Sequence, residues 1–461
     1  MFRKLCCLLF ATGVTSLCAQ SMPPKEDQQL AHDIFKQYVE TPSPTNTGGT
    51  TGVAEAAAKR FRDAGFPASD IFLGGPVPEK YNLVVRLHGT GNRKPLLLLA
   101  HTDVVEAKRS DWTMDPWVLH EQDGYFYGRG VGDDKSQAAV WTETLLRMKR
   151  EGIRPSRDII LALTADEEGG KYNGVKWLLE NHKDLIDADL CLNEGGWGEM
   201  NNGKKISNDL QVSEKYVMQI NFSVTNKGGH SSMPVKDNAI YHLAEALQRL
   251  SQFDFPMKTN EVTAAYFNEM ARIETRPIKA DLAKVAQGDQ AAMTRVAADN
   301  PGWNSTLRTT CVATMLSGGH AANALPQLAT AGVNCRVLPE DSPQYVLDTL
   351  KKVVNDPQVS IKSERDSAGG VPSPMRPDVL NAVTQATEKV FPGTPVVPIM
   401  VVGATDGRML RLQGIPTYGV QGFFYGRDDI RFHGQDERIP IASFYQGQQF
   451  LWELVSLLTK E

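Results

Sequence analysis

Pro95-Leu96-Leu97-Leu98-Leu99-Ala100-His101-Thr102-Asp103 is an unbroken apolar run that ends in a histidine and an acid. A strand apolar on both faces suits a parallel sheet covered by helices on each side. Residues 158–165 repeat the pattern and run into Asp166-Glu167-Glu168-Gly169-Gly170. Residues 188–192 form a third such strand, ending in Asn193-Glu194-Gly195-Gly196, and helical periodicity fills 136–149 between the first two. This order predicts an α/β fold with a mostly parallel central sheet flanked by helices. In such sheets ligands collect beyond the carboxyl ends of strands, which is where His101, Glu167, Glu168 and Glu194 stand.

Outward from this centre, helices are expected at 27–40 and 52–64, with an extended stretch at 82–87. Past Lys215 the pattern changes to the alternation of antiparallel strands, at 217–225, 311–317 and 327–337, with helices at 237–253 and 342–354. Residues 213–367 are therefore expected to be an inserted α+β domain, and 279–300, polar and Ala-rich, a helical excursion at its surface. A helix at 376–390, strands at 398–402 and 415–420 and a helix at 441–459 return the chain to the first unit. Residues 20–212 and 368–461 then make up the catalytic metal-binding domain.

The first nineteen residues read as an export signal. Arg3 and Lys4 precede an apolar run over 5–17, with the small Ala19 near the expected cut. The run is too short to span a membrane. Without it the chain carries 47 Lys+Arg against 54 Asp+Glu, net −7, which does not suit a nucleic-acid binder. Three of six cysteines leave with the signal. A turn centred on Ala322–Asn323 would set Cys311 nearly opposite Cys335. Export permits oxidation, but cross-strand bridges are geometrically demanding, so two buried free thiols are expected.

The chemistry lies at the strand ends. His101 and Asp103 are two apart, so both side chains point the same way, and Asp103 can accept from the imidazole nitrogen that is not on a metal. Asp133 and Asp134 follow Gly128-Arg129-Gly130-Val131-Gly132, whose spacing is not that of a dinucleotide loop; a carboxylate there can bridge two cations. Of the adjacent Glu167 and Glu168, one can coordinate while the other takes a proton from a water whose pKa a metal lowers toward about 7. Phe432-His433-Gly434 adds a histidine. Each of these alone reads as a cap or a loop residue. Burying them together would cost several kcal/mol per charge, and two cations remove the conflict.

Together the motifs resemble the M20 clan of dinuclear zinc hydrolases, which includes glutamate carboxypeptidases, aminoacylases and dipeptidases. The resemblance implies two divalent metal ions, zinc, held by His101, Asp133, Glu168, Glu194 and His433, with Asp133 bridging and a cis peptide between Asp133 and Asp134. It implies Glu167 as general base and Asp103 as the residue that orients His101. It implies that the inserted domain 213–367 is a lid and dimerisation domain, and a homodimer through that lid in which His230, from Gly228-Gly229-His230-Ser231-Ser232, stabilises the oxyanion in the other subunit's site. Asn323, in Asn323-Ala324-Leu325-Pro326, and Arg336, in Cys335-Arg336-Val337, match residues that bind the substrate carboxylate region, for which a guanidinium fork is suited. Asn334 departs from the Asp usual there. Gly403-Ala404-Thr405-Asp406-Gly407-Arg408 resembles the Thr-Asp-x-Arg stretch of the aminoacylase and carboxypeptidase branches. The expectation is an exported metallopeptidase that cleaves an amide bond beside a free carboxylate, as a carboxypeptidase or dipeptidase. The alternative is an N-acyl-amino-acid amidohydrolase. A non-catalytic peptide- or metal-binding protein on the same fold would not need Glu167.

Overall fold

Alternate residues of the central strand Arg93–His101 feed two different cores. Leu96, Leu98 and Ala100 join the larger cluster, while Leu97 and Leu99 join a second with Ile160, Ala162 and Cys191. That double burial is why the run carries no polar alternation. The strand pairs in parallel with Arg157–Thr164 on one side and Leu190–Asn193 on the other. Asn82–Leu87 extends the sheet antiparallel beyond Arg157–Thr164, and Thr417–Gly419 extends it parallel beyond Leu190–Asn193. The computed structural model describes residues 22–91, 93–364 and 368–460. The expected export segment with its expected cut near Ala19, and the boundary expected at 367/368, lie outside the described residues.

Among the described residues the large sheet has ten strands. Lys204–Glu214 is an eleven-residue strand absent from the sequence expectations, and Val396–Val401 runs parallel to it. Lys25–Val39, Lys135–Arg150, Pro377–Val390 and Ile441–Leu458 supply the helical cover. Lys135–Arg150 is the innermost, buried at every residue from Lys135 to Met148. Among the described residues no helix is long and apolar enough to cross a membrane.

The second sheet has four antiparallel strands, in the order Thr310–Gly318, Leu328–Val337, Tyr216–Thr225, Ser360–Ser363. Ala239–Ser251 and Pro343–Val354 close its inner face around Phe222, Val333 and Leu350. Cys311 stands directly opposite Cys335 with Cα atoms 4.0 Å apart, and the two are bonded. This corrects the expectation of free thiols: the register delivers the close cross-strand pairing that a bridge demands. Cys191 is free and buried.

The helical excursion also differs from expectation. It begins at Glu261 and runs through four helices, Glu261–Ile273, Lys279–Val285, Gln290–Asp299 and Pro301–Leu307, around Phe267, Leu282, Met293 and Trp303. Glu261–Ile273 lies on Val396–Val401 of the large sheet. The polar, Ala-rich surface of this segment conceals an apolar stripe that seats on the sheet.

Candidate metal centre

His101 closes the central strand, and Thr102 N–H still bonds Thr164 carbonyl at 2.9 Å, so the neighbouring strand fixes where the imidazole starts. Its Nδ1 lies 3.0 Å from the main-chain carbonyl of Asp103. A carbonyl only accepts, so Nδ1 carries the proton and Nε2 offers its lone pair. The Asp103 carboxylate, expected to be the orienting group, stands 3.6 Å from Nδ1. Beside this contact with the imidazole, it accepts from the N–H groups of Glu167 and Glu168, at 3.1 Å each, and from the Thr45 hydroxyl at 3.0 Å. Asp103 thus fixes the loop that carries both glutamates.

Asp133 is the hub. His101 Nε2 approaches its Oδ1 at 2.9 Å, and His433 Nε2 approaches its Oδ2 at 3.3 Å. Glu194 lies 3.9 Å from His101 Nε2, and Glu168 lies 2.9 Å from His433 Nε2. Two groups result, His101–Asp133–Glu194 and Asp133–Glu168–His433, each with one donor atom per residue and all within 4.8 Å of one another. Three donors about 2.0–2.2 Å from one cation lie roughly 3–4 Å apart. The imidazole and carboxylate chemistry and the spacing therefore fit two divalent ions that share Asp133. The Asp133–Asp134 peptide is cis.

Glu437 builds the turn before Asp133. Its carboxylate accepts from the N–H groups of Gly130, Gly132 and Asp133 and from the Arg129 guanidinium, at 2.7–3.2 Å. Gly132 admits no side chain: a Cβ there would lie 2.4 Å from the Phe432 ring.

The electrostatics show what the site lacks. Burial pulls His101 down, but Asp103, Asp133 and Glu194 outweigh it and raise the imidazole well above its usual value. Bonds to Asp133 and Glu168 lift His433 to about 10. Burial, with the charges of Asp406, Glu168 and Asp133, holds Glu167 well above the carboxylate range, against the pull of His101. Glu194 is raised by burial and then by Glu167. So many carboxyls sharing two imidazoles call for added positive charge.

Asp406 is the site residue whose role the sequence reading left unassigned, although its stretch was noted. Burial pushes it up to about 7, and Asn173 donates to it at 2.6 Å. His230, Asn323 and Arg336 stand apart from this cluster. His230 pairs with Ala324 in a two-stranded ribbon, its Nδ1 2.7 Å from Ser232 Oγ, and Ser231 N–H bonds Asn323 carbonyl. Arg336 sits opposite Val217 in the second sheet, where its charge helps depress Lys215 after burial. Asn334 donates to Gln219 at 3.2 Å. Among the described residues no hydrogen bond or ion pair links these three to the ligand groups.

Residues 97–456 match the family model described as peptidase family M20/M25/M40. Human N-fatty-acyl-amino acid synthase/hydrolase PM20D1 is 28% identical over 447 residues, covering 94% of this chain and 88% of that protein. Probable carboxypeptidase S-like 2 of Dictyostelium discoideum is 29% identical over 408 residues, covering 85% and 77%. The structure of the M20 family metallo-carboxypeptidase Sso-CP2 from Sulfolobus solfataricus has the same fold, with a TM-score of 0.69 at 18% identity over 93% of this chain and 98% of that one.

Proposed function

The chain belongs to peptidase family M20/M25/M40, and from that premise we propose that it is an exported, dinuclear zinc hydrolase cleaving an amide bond beside a free carboxylate. The observation that carries this reading is the Asp133 carboxylate, with one histidine Nε2 on each oxygen and Glu167 on the same loop as the ligand Glu168. Two divalent ions bound there would supply Lewis acidity and a water whose pKa falls toward about 7. Glu167, beside the ligand Glu168, would serve as general base, taking a proton from the attacking water and handing it to the leaving nitrogen. Asp103 keeps Glu167 and Glu168 in register through their N–H groups, and Asp406 sets the local charge opposite.

His230 and Asn323 act from the inserted domain, with His230 donated to a partner's site in a homodimer to stabilise the oxyanion. Arg336 receives the substrate carboxylate. The dimer reading is supported by the free edge strand Thr310–Gly318, which leaves Val312, Met315 and Leu316 between 59% and 71% exposed.

A second reading, N-acyl-amino-acid hydrolysis, is favoured by the activity named for the human relative. One panel separates the two: dipeptides, longer peptides and N-acyl amino acids, each with a free or amidated carboxyl end, on zinc-loaded protein. Turnover of free-carboxylate substrates, falling about a hundredfold or more on amidation, is expected from loss of a charge-assisted pair. A zinc-loaded protein that turns over no member would end the proposal.

A further inference from the structure

A cavity of about 430 Å³ lies between the helical excursion and the face of the large sheet, within the size range of small-molecule sites. No residue of the two ligand groups lines it. Trp197, Tyr266 and Trp303 supply aromatic walls, with Met270, Ile399 and Val401 between them. Trp303 Nε1 donates to Tyr266 Oη at 3.1 Å, which fixes both rings.

The charges around the cavity cancel except for one. Glu199 is held by Arg427 at 2.5 Å and Glu274 by Arg276 at 2.7 Å. Among the described residues no cation pairs with Asp209. Its Oδ1 is buried without a hydrogen-bond partner among the described residues, a costly state for a carboxylate. Burial and the Glu199 charge push Asp209 up to about 7, against a hydrogen bond from Ser207. An unpaired acid on an aromatic wall is what an organic cation satisfies, through its charge and through its contact with ring faces.

We propose that this cavity binds a small organic amine, with its ammonium on the Asp209 carboxylate and its aromatic or short alkyl body against Trp197, Tyr266 and Trp303. The neutral isostere of such an amine could fill the same space and would lack the attraction to Asp209.

The test uses 2-phenylethylamine and 2-phenylethanol as probes, titrated calorimetrically at pH 8 into the whole protein. Binding is read directly, so the outcome does not depend on the hydrolase reading. The amine should bind saturably and more tightly than the alcohol. Asp209→Asn should weaken the amine at least about tenfold and leave the alcohol unchanged. Met270→Trp, which fills the cavity and leaves the charge in place, should abolish binding of both and decides the matter if Asp209→Asn does not fold. Absence of saturable amine binding to the unaltered protein would overturn the proposal. So would equal amine affinity in folded Asp209→Asn, or undiminished binding in Met270→Trp.

Discussion

Glu167 and Glu168 are chemically identical and adjacent, yet they face different neighbours. Glu168 reaches His433, while Glu167 meets the charges of Asp406 and Asp133. Glu167→Gln should therefore keep metal content near that of the unaltered protein while lowering turnover about 10²–10⁴-fold. Metal analysis showing loss of both ions would mean the two glutamates have been exchanged in this assignment. At this scale the ligands could be read only as a set: four of them follow a buried strand or a glycine turn, His433 follows neither, and each alone reads as a cap or a loop residue. Asp406 and Glu437 were not. Their importance comes from what lies across the fold, Glu167 for one and the Gly130–Asp133 turn for the other, and no local pattern encodes that. Asp103 shows a subtler limit. Its place beside His101 could be read, whereas the use of its carbonyl for the imidazole and its carboxylate for the glutamate loop depends on geometry.

The helix Lys135–Arg150 carries a carboxyl into its buried face. Burial and the Asp27 charge push Glu143 up to about 8, against Arg147, Gln448 and Arg150. Neither oxygen of the Glu143 carboxyl has a hydrogen-bond partner among the described residues, so the buried group is held in its neutral form. An acid whose folded pKa is raised contributes its full stability below the unfolded value of about 4.5 and loses it as pH rises through the folded value. Glu143→Gln should thus match the unaltered protein near pH 4 and exceed it by a few kcal/mol above pH 8, at about 1.4 kcal/mol per unit of pKa difference. Denaturant melts at both pH values check this, and equal gaps at the two would refute it. If the proposed dimer forms through the exposed strand Thr310–Gly318, Leu316→Lys should give a monomer in light scattering without lowering the melting temperature. Elements with continuous or alternating apolar runs could be read from sequence. Lys204–Glu214 could not: Lys204-Lys205-Ile206-Ser207-Asn208-Asp209 carries little strand pattern, and the segment is extended because partners lie on both sides of it. The excursion was read only over 279–300, where Lys279–Val285 and Gln290–Asp299 are helical; Glu261–Ile273 and Pro301–Leu307 escaped because the apolar stripe is spread thinly over four short helices.

For the whole molecule, the question is whether one chain suffices. His230 stands on an exposed ribbon, apart from the ligand groups. If it serves a partner's site, His230→Ala and Glu167→Gln proteins should each be nearly inactive, and mixing them under subunit exchange should restore part of the activity, since one hybrid site has both residues intact. Proven exchange with no recovery would place His230 in its own subunit's chemistry instead.

The Glu437 carboxylate that shapes the Asp133 turn lies 304 residues beyond it, and His433 lies 265 residues beyond Glu168. A ribosome adding roughly 5–20 residues per second therefore spends tens of seconds between making the first half of this centre and the second. Throughout that interval the nascent polypeptide holds His101, Asp133, Glu168 and Glu194 without their closing histidine or the glutamate that shapes their turn. Hydrolytic competence is thus timed by translation itself, and an emerging chain cannot act on its neighbours before that late segment has left the exit tunnel and docked.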